Sequence, residues 1–290
     1  MPLNLRVLAG VLALFTTVTK AEPLYWQVSR GDLNLYVIGS VHVGTPSMYP
    51  LPKIITDTLT QGSGLIVETD TRNTNGVTYP PQTVKTKDIL NKKQLTQLST
   101  MAKSLGLNSD RYSEMAPWAT AIALQNDHLS QLGYHSGNGV DTRMLSQATQ
   151  HNIPVIGLEK LQFQIDLLTQ QPDDGKELLL GMLKEWKSSE TTMQCLIQSW
   201  KAGDENNLMR FAEADGMSAQ MRGDVVDKRN LDWANKLSSS HFYPHPNGNY
   251  VMVVGVLHLI GPNNVLDLME KQGFSVTRLN QAKAANCDFE

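Results

Sequence analysis

With 290 residues, 41% of them hydrophobic and 18% charged, the chain has ample apolar material for a folded core and does not have a disordered composition. A formal net charge of −3 without any basic stripe gives no sign of a nucleic-acid partner. Two cysteines are too few for a CxxC or Cys/His zinc cluster.

The chain opens on a basic residue, Arg6, followed by the apolar or neutral stretch VLAGVLALFTTVT and then TKAEP, with Ala21 as a small residue before a cut. This pattern predicts a signal peptide over residues 1–21 and a mature domain over residues 22–290. The stretch is too short for a comfortable membrane span, and an uncleaved anchor is the alternative. No cysteine near the exit offers a lipid attachment point. Loss of Arg6 and Lys20 would take the net charge from −3 to −5.

LYWQVSRGDLNLYVIGS then reads as a hairpin, with a first strand over 24–29, a turn at Arg30-Gly31-Asp32, and a second strand running to His42. GLIVETD ends at Glu68 and Asp70, NIPVIGLEK at Glu159, and NYVMVVGVLH at His258. These runs are apolar at consecutive positions and rich in Val and Ile, as in strands buried on both faces. FSVTRL alternates and suits an edge strand. Between them the apolar period becomes helical: 51–61 after the first histidine, 86–105 stopping at Gly106, then APWATAIALQNDHLSQLG, GVDTRMLSQATQH, KLQFQIDLLTQQ, 174–200 and 224–239. TRNTNGVTYPPQT reads as a loop. The order predicts an α/β fold, a central mixed, largely parallel sheet flanked by helices, with a helical insertion.

Ligands of open parallel sheets bind outside the carboxyl ends of the strands. Here four such ends carry His42, Glu68, Glu159 and His258. The two histidines end matching motifs, Gly39-x-x-His42 and Gly255-x-x-His258, each followed by a glycine and lying 216 positions apart. Imidazole nitrogen with carboxylate oxygen suits a divalent metal such as manganese, cobalt or zinc. The same groups also serve metal-free proton transfer. Glu68 follows Val67 directly, and a buried carboxylate there needs a cation or donors. Asp141 lies near a helix start, where an N-cap role is the simple explanation. Glu159 has the option of opening a helix. Arg229, in a helix beside Asn230, has the chemistry to bind a carboxylate or steady an oxyanion. The five tryptophans read as core, and the remaining five histidines as surface groups. The even pair Cys195 and Cys287 reads as a disulfide of an exported chain.

As an ensemble, GSVH, GVLH, IVETD, the GVD ending at Asp141 and the RN at Arg229 resemble the TraB/GumN family, which includes the Tiki proteins, and most closely its small bacterial exported members. The resemblance spans roughly residues 24–279. It implies a fold related to erythromycin-esterase and haem-binding ChaN-like proteins. It also implies metal-dependent proteolysis using His42, His258 and Glu68, with Asp141, Glu159 and Arg229 around the site. The C-terminal transmembrane helices of some TraB relatives are not seen, so no stable span is expected after signal cleavage. The expected function is thus a periplasmic, metal-dependent hydrolase, a peptidase, acting on a peptide or small-molecule substrate. Glu159 or Asp141 would handle protons in it. The alternative is a non-catalytic protein that binds haem, metal or a peptide signal in the same pocket.

Overall fold

A computed structural model describes residues 21–214 and 218–289; the predicted leader, Ala21 apart, lies outside the described residues. Six strands form one sheet: Tyr25–Arg30 (β1), Leu33–Ser40 (β2), Gly64–Val67 (β3), Val155–Gly157 (β4), Asn249–Gly255 (β5) and Ser275–Arg278 (β6), in the order β4-β3-β5-β2-β1-β6. Strands β4, β3, β5 and β2 run parallel, and β1 and β6 add an antiparallel edge. This is the mixed, largely parallel α/β sheet expected, with the hairpin turn at Gly31-Asp32.

Register decides where the site forms. The last residue of β2, Ser40, pairs with Gly255, the last of β5. Val67 of β3 pairs with Val253 of β5 and with Gly157 of β4. The exits carrying His42, Glu68, Glu159 and His258 therefore leave the sheet at nearly one level. Consecutive residues of β5 face opposite layers, as the pleat requires. Val251 and Val253 pack with Ile38, Val67, Met144 and Trp200, while Met252 and Val254 pack with Leu35, Trp233, Leu237 and Leu266. Burial on both sides explains the unbroken apolar runs of β3 and β5. β4 departs from the expectation: it is half-exposed because it is the sheet's edge.

The helices after β3 build a core of their own, in which Leu98, Met101, Tyr112, Leu124, Leu179 and Leu183 are buried together. The helical stretch 86–105 is two helices, Thr86–Ile89 and Lys92–Ser104. Asn91 divides them because its side chain accepts the Gln94 N–H at 3.0 Å while its own N–H donates to the Gln94 side chain at 2.9 Å. The segment 224–239 is divided as well. A π-helical turn, Gly223–Asp227, runs into the helix Lys228–Ser238, and the Lys228 N–H reaches back to the carbonyl of Gly223. Two further helices, Glu205–Ala214 and Val265–Lys271, lie outside the stretches that the apolar pattern marks as helical. Cys195 and Cys287 are bonded, fastening the tail to the helix Ser189–Ala202. Among the described residues no helix is long and apolar enough to cross a membrane.

Candidate functional site

His42 lies just past β2, in a turn held from two sides. Gly44 and His135 exchange backbone hydrogen bonds at 3.1 and 3.0 Å, and the Val140 N–H donates to the carbonyl of Val41 at 3.1 Å. Gly139 packs so tightly on the His42 carbonyl that any side chain there would collide with it. This docks the start of the helix Val140–Gln150 against the turn. Gly139 is the N-cap, so Asp141 is not the cap its position suggested. Its carboxylate instead accepts from Ser40 Oγ at 2.8 Å and from His42 Nδ1 at 3.1 Å. The hydrogen bond from Asp141 pushes the His42 imidazole up to about 9, against a smaller opposing effect of desolvation. The ring is 74% exposed, at the mouth of the site.

Glu68 lies at the opposite extreme, 8% exposed. One carboxylate oxygen accepts the Gly255 N–H at 2.7 Å, and the other accepts Arg229 Nη2 at 2.6 Å and Gln164 Nε2 at 3.2 Å. Burial alone raises its pKa. His258, Arg229 and His42, with the Gly255 amide, outweigh burial and hold the carboxyl below the usual range. Burial works against the Arg229 charge too, but Glu68 and Glu159 overcome it and raise its pKa. Glu159 accepts Arg229 Nη2 at 2.8 Å, Arg229 Nε at 3.1 Å, Gln164 at 2.8 Å and Trp233 Nε1 at 3.1 Å. It precedes the helix Leu161–Thr169, whose N-cap is Lys160. The third arm of the guanidinium, Nη1, donates to the Val225 carbonyl at 2.9 Å, inside the π-helical turn. Where such a turn meets an α-helix the backbone ladder changes step, and a carbonyl is left for a side-chain donor.

His258 ends the short turn that follows β5 and is buried. Its Nδ1 lies 2.6 Å from Asn230 Oδ1, and the Asn230 amide nitrogen donates to the Asn263 carbonyl at 3.0 Å. That second bond turns the Asn230 oxygen toward the ring, so Nδ1 carries the proton. Nε2 then presents a lone pair, which faces Arg229 Nη1 at 3.3 Å. Trp233 lies against the same ring, with centroids 4.4 Å apart. Burial, the largest influence, lowers the His258 pKa to about 4, so the ring is neutral at pH 7.

Ser40, His42, Glu68, Arg229, Gly255 and His258 line one cavity of about 420 Å³. Both Gly-x-x-His exits, Glu68 and Arg229 thus reach a common space. Asp141 stands behind His42, and Glu159 lies behind Arg229, toward a separate recess beside Thr69 and Asp70. Ser40, Gln164, Asn230 and Trp233 complete the network. Of these, Trp233 carries a readable signal, one helical turn beyond Arg229 and so on the same face. His128, read as a surface group, stacks on Trp186 at 4.1 Å.

The donor types suit a divalent cation. Each histidine has Nδ1 engaged by a side-chain oxygen, Asp141 or Asn230, which fixes the ring, but Nε2 of His258 is met by Arg229 Nη1 and His42, with its pKa near 9, must lose a proton before its Nε2 can ligate. The groups are not gathered around a point: among the described residues no set of three or more His, Cys, Asp or Glu is placed to hold a metal ion. The cation that meets Glu68 is Arg229.

The family model for the TraB/PrgY/gumN family matches residues 24–278. An uncharacterised protein of Escherichia coli (strain K12), YbaP, is 30% identical over 242 residues, covering 82% of this chain and 89% of its own. YbaP of Shigella flexneri matches to the same extent. An uncharacterised protein of Treponema pallidum (strain Nichols) is 20% identical over 289 residues, covering 90% of this chain and 84% of its own. No solved structure matches significantly. With residues 24–278 matched, and both Gly-x-x-His exits inside the matched span, the chain belongs to the TraB/PrgY/gumN family.

Proposed function

We propose that the protein is an exported, metal-dependent hydrolase, a peptidase, whose reacting carbonyl sits between His42, Glu68 and His258. One observation carries the reading: two imidazoles from distant segments line the same cavity, and each is oriented by a side-chain oxygen on its far nitrogen. A buried ring needs one such partner in any case; what favours a functional pair is that both rings are held by Nδ1 and both line the same cavity. Export rests on the leader pattern of residues 1–21 and on the Cys195–Cys287 bond.

His42, His258 and Glu68 would hold a manganese, cobalt or zinc ion, which when bound polarises a carbonyl and acidifies its water. The chain's own groups do the rest. Asp141 and Asn230 fix the two rings. Glu68, ionised at neutral pH, is a proton acceptor lining the cavity. Arg229 places a permanent charge where an oxyanion develops, and Glu159 with Trp233 holds it there. Asp141 accepts the Nδ1 proton of His42, whereas Glu159 keeps to positioning Arg229.

The test is elemental analysis of purified wild type and His42→Ala protein, with peptide hydrolysis followed before and after chelation. Stoichiometric metal in the wild type alone, with turnover lost on chelation and in Glu68→Gln, is the expected result. Hydrolysis that survives exhaustive chelation, or no turnover with any of the three metals, would overturn the proposal.

A further inference from the structure

The cavity has two unlike parts. The strand exits supply its polar groups, while the surrounding helices supply Leu129, Met193, Leu196, Phe211, Val226 and, from the turn before His258, Leu257. The charged or titratable groups lining it, His42, Glu68, Arg229 and His258, belong to the catalytic rim already described; the other polar side chains are Ser40 at that rim and the neutral amides Gln125 and Asn126. The volume of about 420 Å³ lies in the range of cavities that enclose small ligands. Phe211 is backed by the ring of Phe289 at 5.3 Å, and the neighbouring Cys287 is bonded to Cys195 in the helix bearing Met193 and Leu196. The apolar wall is therefore braced from behind by the C-terminal tail.

From this juxtaposition we propose that the wall is a specificity subsite for an uncharged, apolar side chain of the substrate, one residue's worth, next to the carbonyl held at the rim. The inference rests on the hydrolase reading for the position of that carbonyl, but the selectivity belongs to the wall. A branched aliphatic or aromatic side chain covers the wall and leaves water. A charged one loses its hydration against Met193 and Phe211, where the lining away from the rim offers only the neutral amides of Gln125 and Asn126. Transfer of methylenes from water favours binding by about fourfold each when fully buried, so the ranking should follow apolar size until the cavity is full.

The test uses uncleavable probes on the mature protein: N-acetyl amides of alanine, leucine, phenylalanine and aspartate, with binding followed by the NMR signals of labelled methionine methyl groups. Expected are at least tenfold tighter binding of the leucine and phenylalanine probes than of the alanine one, no binding of the aspartate probe, and a shift of the Met193 methyl. Phe211→Asp and, as a second variant that leaves the Phe289 contact in place, Met193→Lys should abolish the ranking. Circular dichroism checks that each variant folds. A flat ranking, or binding that leaves Met193 undisturbed and survives both variants, overturns the subsite. Hydrolysis with a flat ranking removes the subsite and leaves the hydrolase; a steep ranking without hydrolysis does the reverse.

Discussion

The Nδ1 atom of the buried His258 ring sits 2.6 Å from the side-chain oxygen of Asn230, 28 residues earlier in the chain. This bond fixes which nitrogen of the ring is protonated. Asn230→Asp would place a carboxylate there and raise the His258 pKa from about 4, read by NMR titration of the ring. Asn230→Leu would instead leave a buried N–H unpaired, at a cost of about 1–3 kcal/mol in urea unfolding.

The two imidazoles predict a stability optimum near neutral pH in chelator-treated protein. His258 has a folded pKa near 4 against 6.5 for the ordinary group. As pH falls from 6.5 toward 4 the unfolded chain takes up a proton the folded one refuses, and stability is lost. The full loss is of order 3 kcal/mol. His42 runs the other way. Its pKa near 9 contributes stability that is complete below 6.5 and lost as pH rises through 9. Its exposure to solvent makes that contribution smaller. Asp141→Asn should flatten the alkaline limb and leave the acid limb intact, as measured by denaturation across pH.

Arg229 answers two buried carboxylates, so its removal is more damaging than its own contacts suggest. Arg229→Met strands Glu68 and Glu159, each with little solvent and without the guanidinium that bridged them, and should cost about 3–5 kcal/mol. Arg229→Lys keeps the charge but cannot fork between both carboxylates and the Val225 carbonyl. It should recover part of the stability and little of the activity. Adding Glu159→Gln to Arg229→Met should recover stability relative to the single variant.

The motif glycines predict a contrast. At Gly39 an added Cβ would lie 2.7 Å from Val256 Cγ2 and 3.1 Å from its Cα, so Gly39→Ala is an overpacking change costing about 1–3 kcal/mol. At Gly255 the nearest atoms are Glu68 Oε1 at 3.2 Å and His258 Cδ2 at 3.5 Å. Gly255→Ala should therefore fold nearly normally and show its effect in turnover, by displacing Glu68. Thermal melts and kinetics on both variants separate the two roles.

The strand ends were legible because burial on both faces writes an unbroken apolar run, and a polar residue after such a run marks a carboxyl end. His42, Glu68 and His258 were found that way. The partners of these residues were not legible. Asp141 meets His42 from 99 positions away, through a turn locked by Gly139, and nothing local announces that pairing. For Arg229 the sequence offers a cation able to bind a carboxylate or steady an oxyanion, and the family resemblance places it near the site; that it bridges Glu68 and Glu159 depends on the register of three strands and on a π-helical turn. Trp233 was assigned to the core, and it is there, yet its indole N–H serves Glu159. A side chain can be fully buried and still belong to a site.

The position of β5 between β3 and β2 has a kinetic consequence. Synthesis delivers the first histidine and the glutamate early, on strands that are not joined into one sheet until a segment made some two hundred residues later pairs with both and fills the gap between them. A truncated chain therefore brings no such site together, and assembly of the cavity-lining groups is coupled to completion of the fold. If the proposed peptidase activity holds, this order of events would keep the protein inert while it is itself still an unfolded polypeptide.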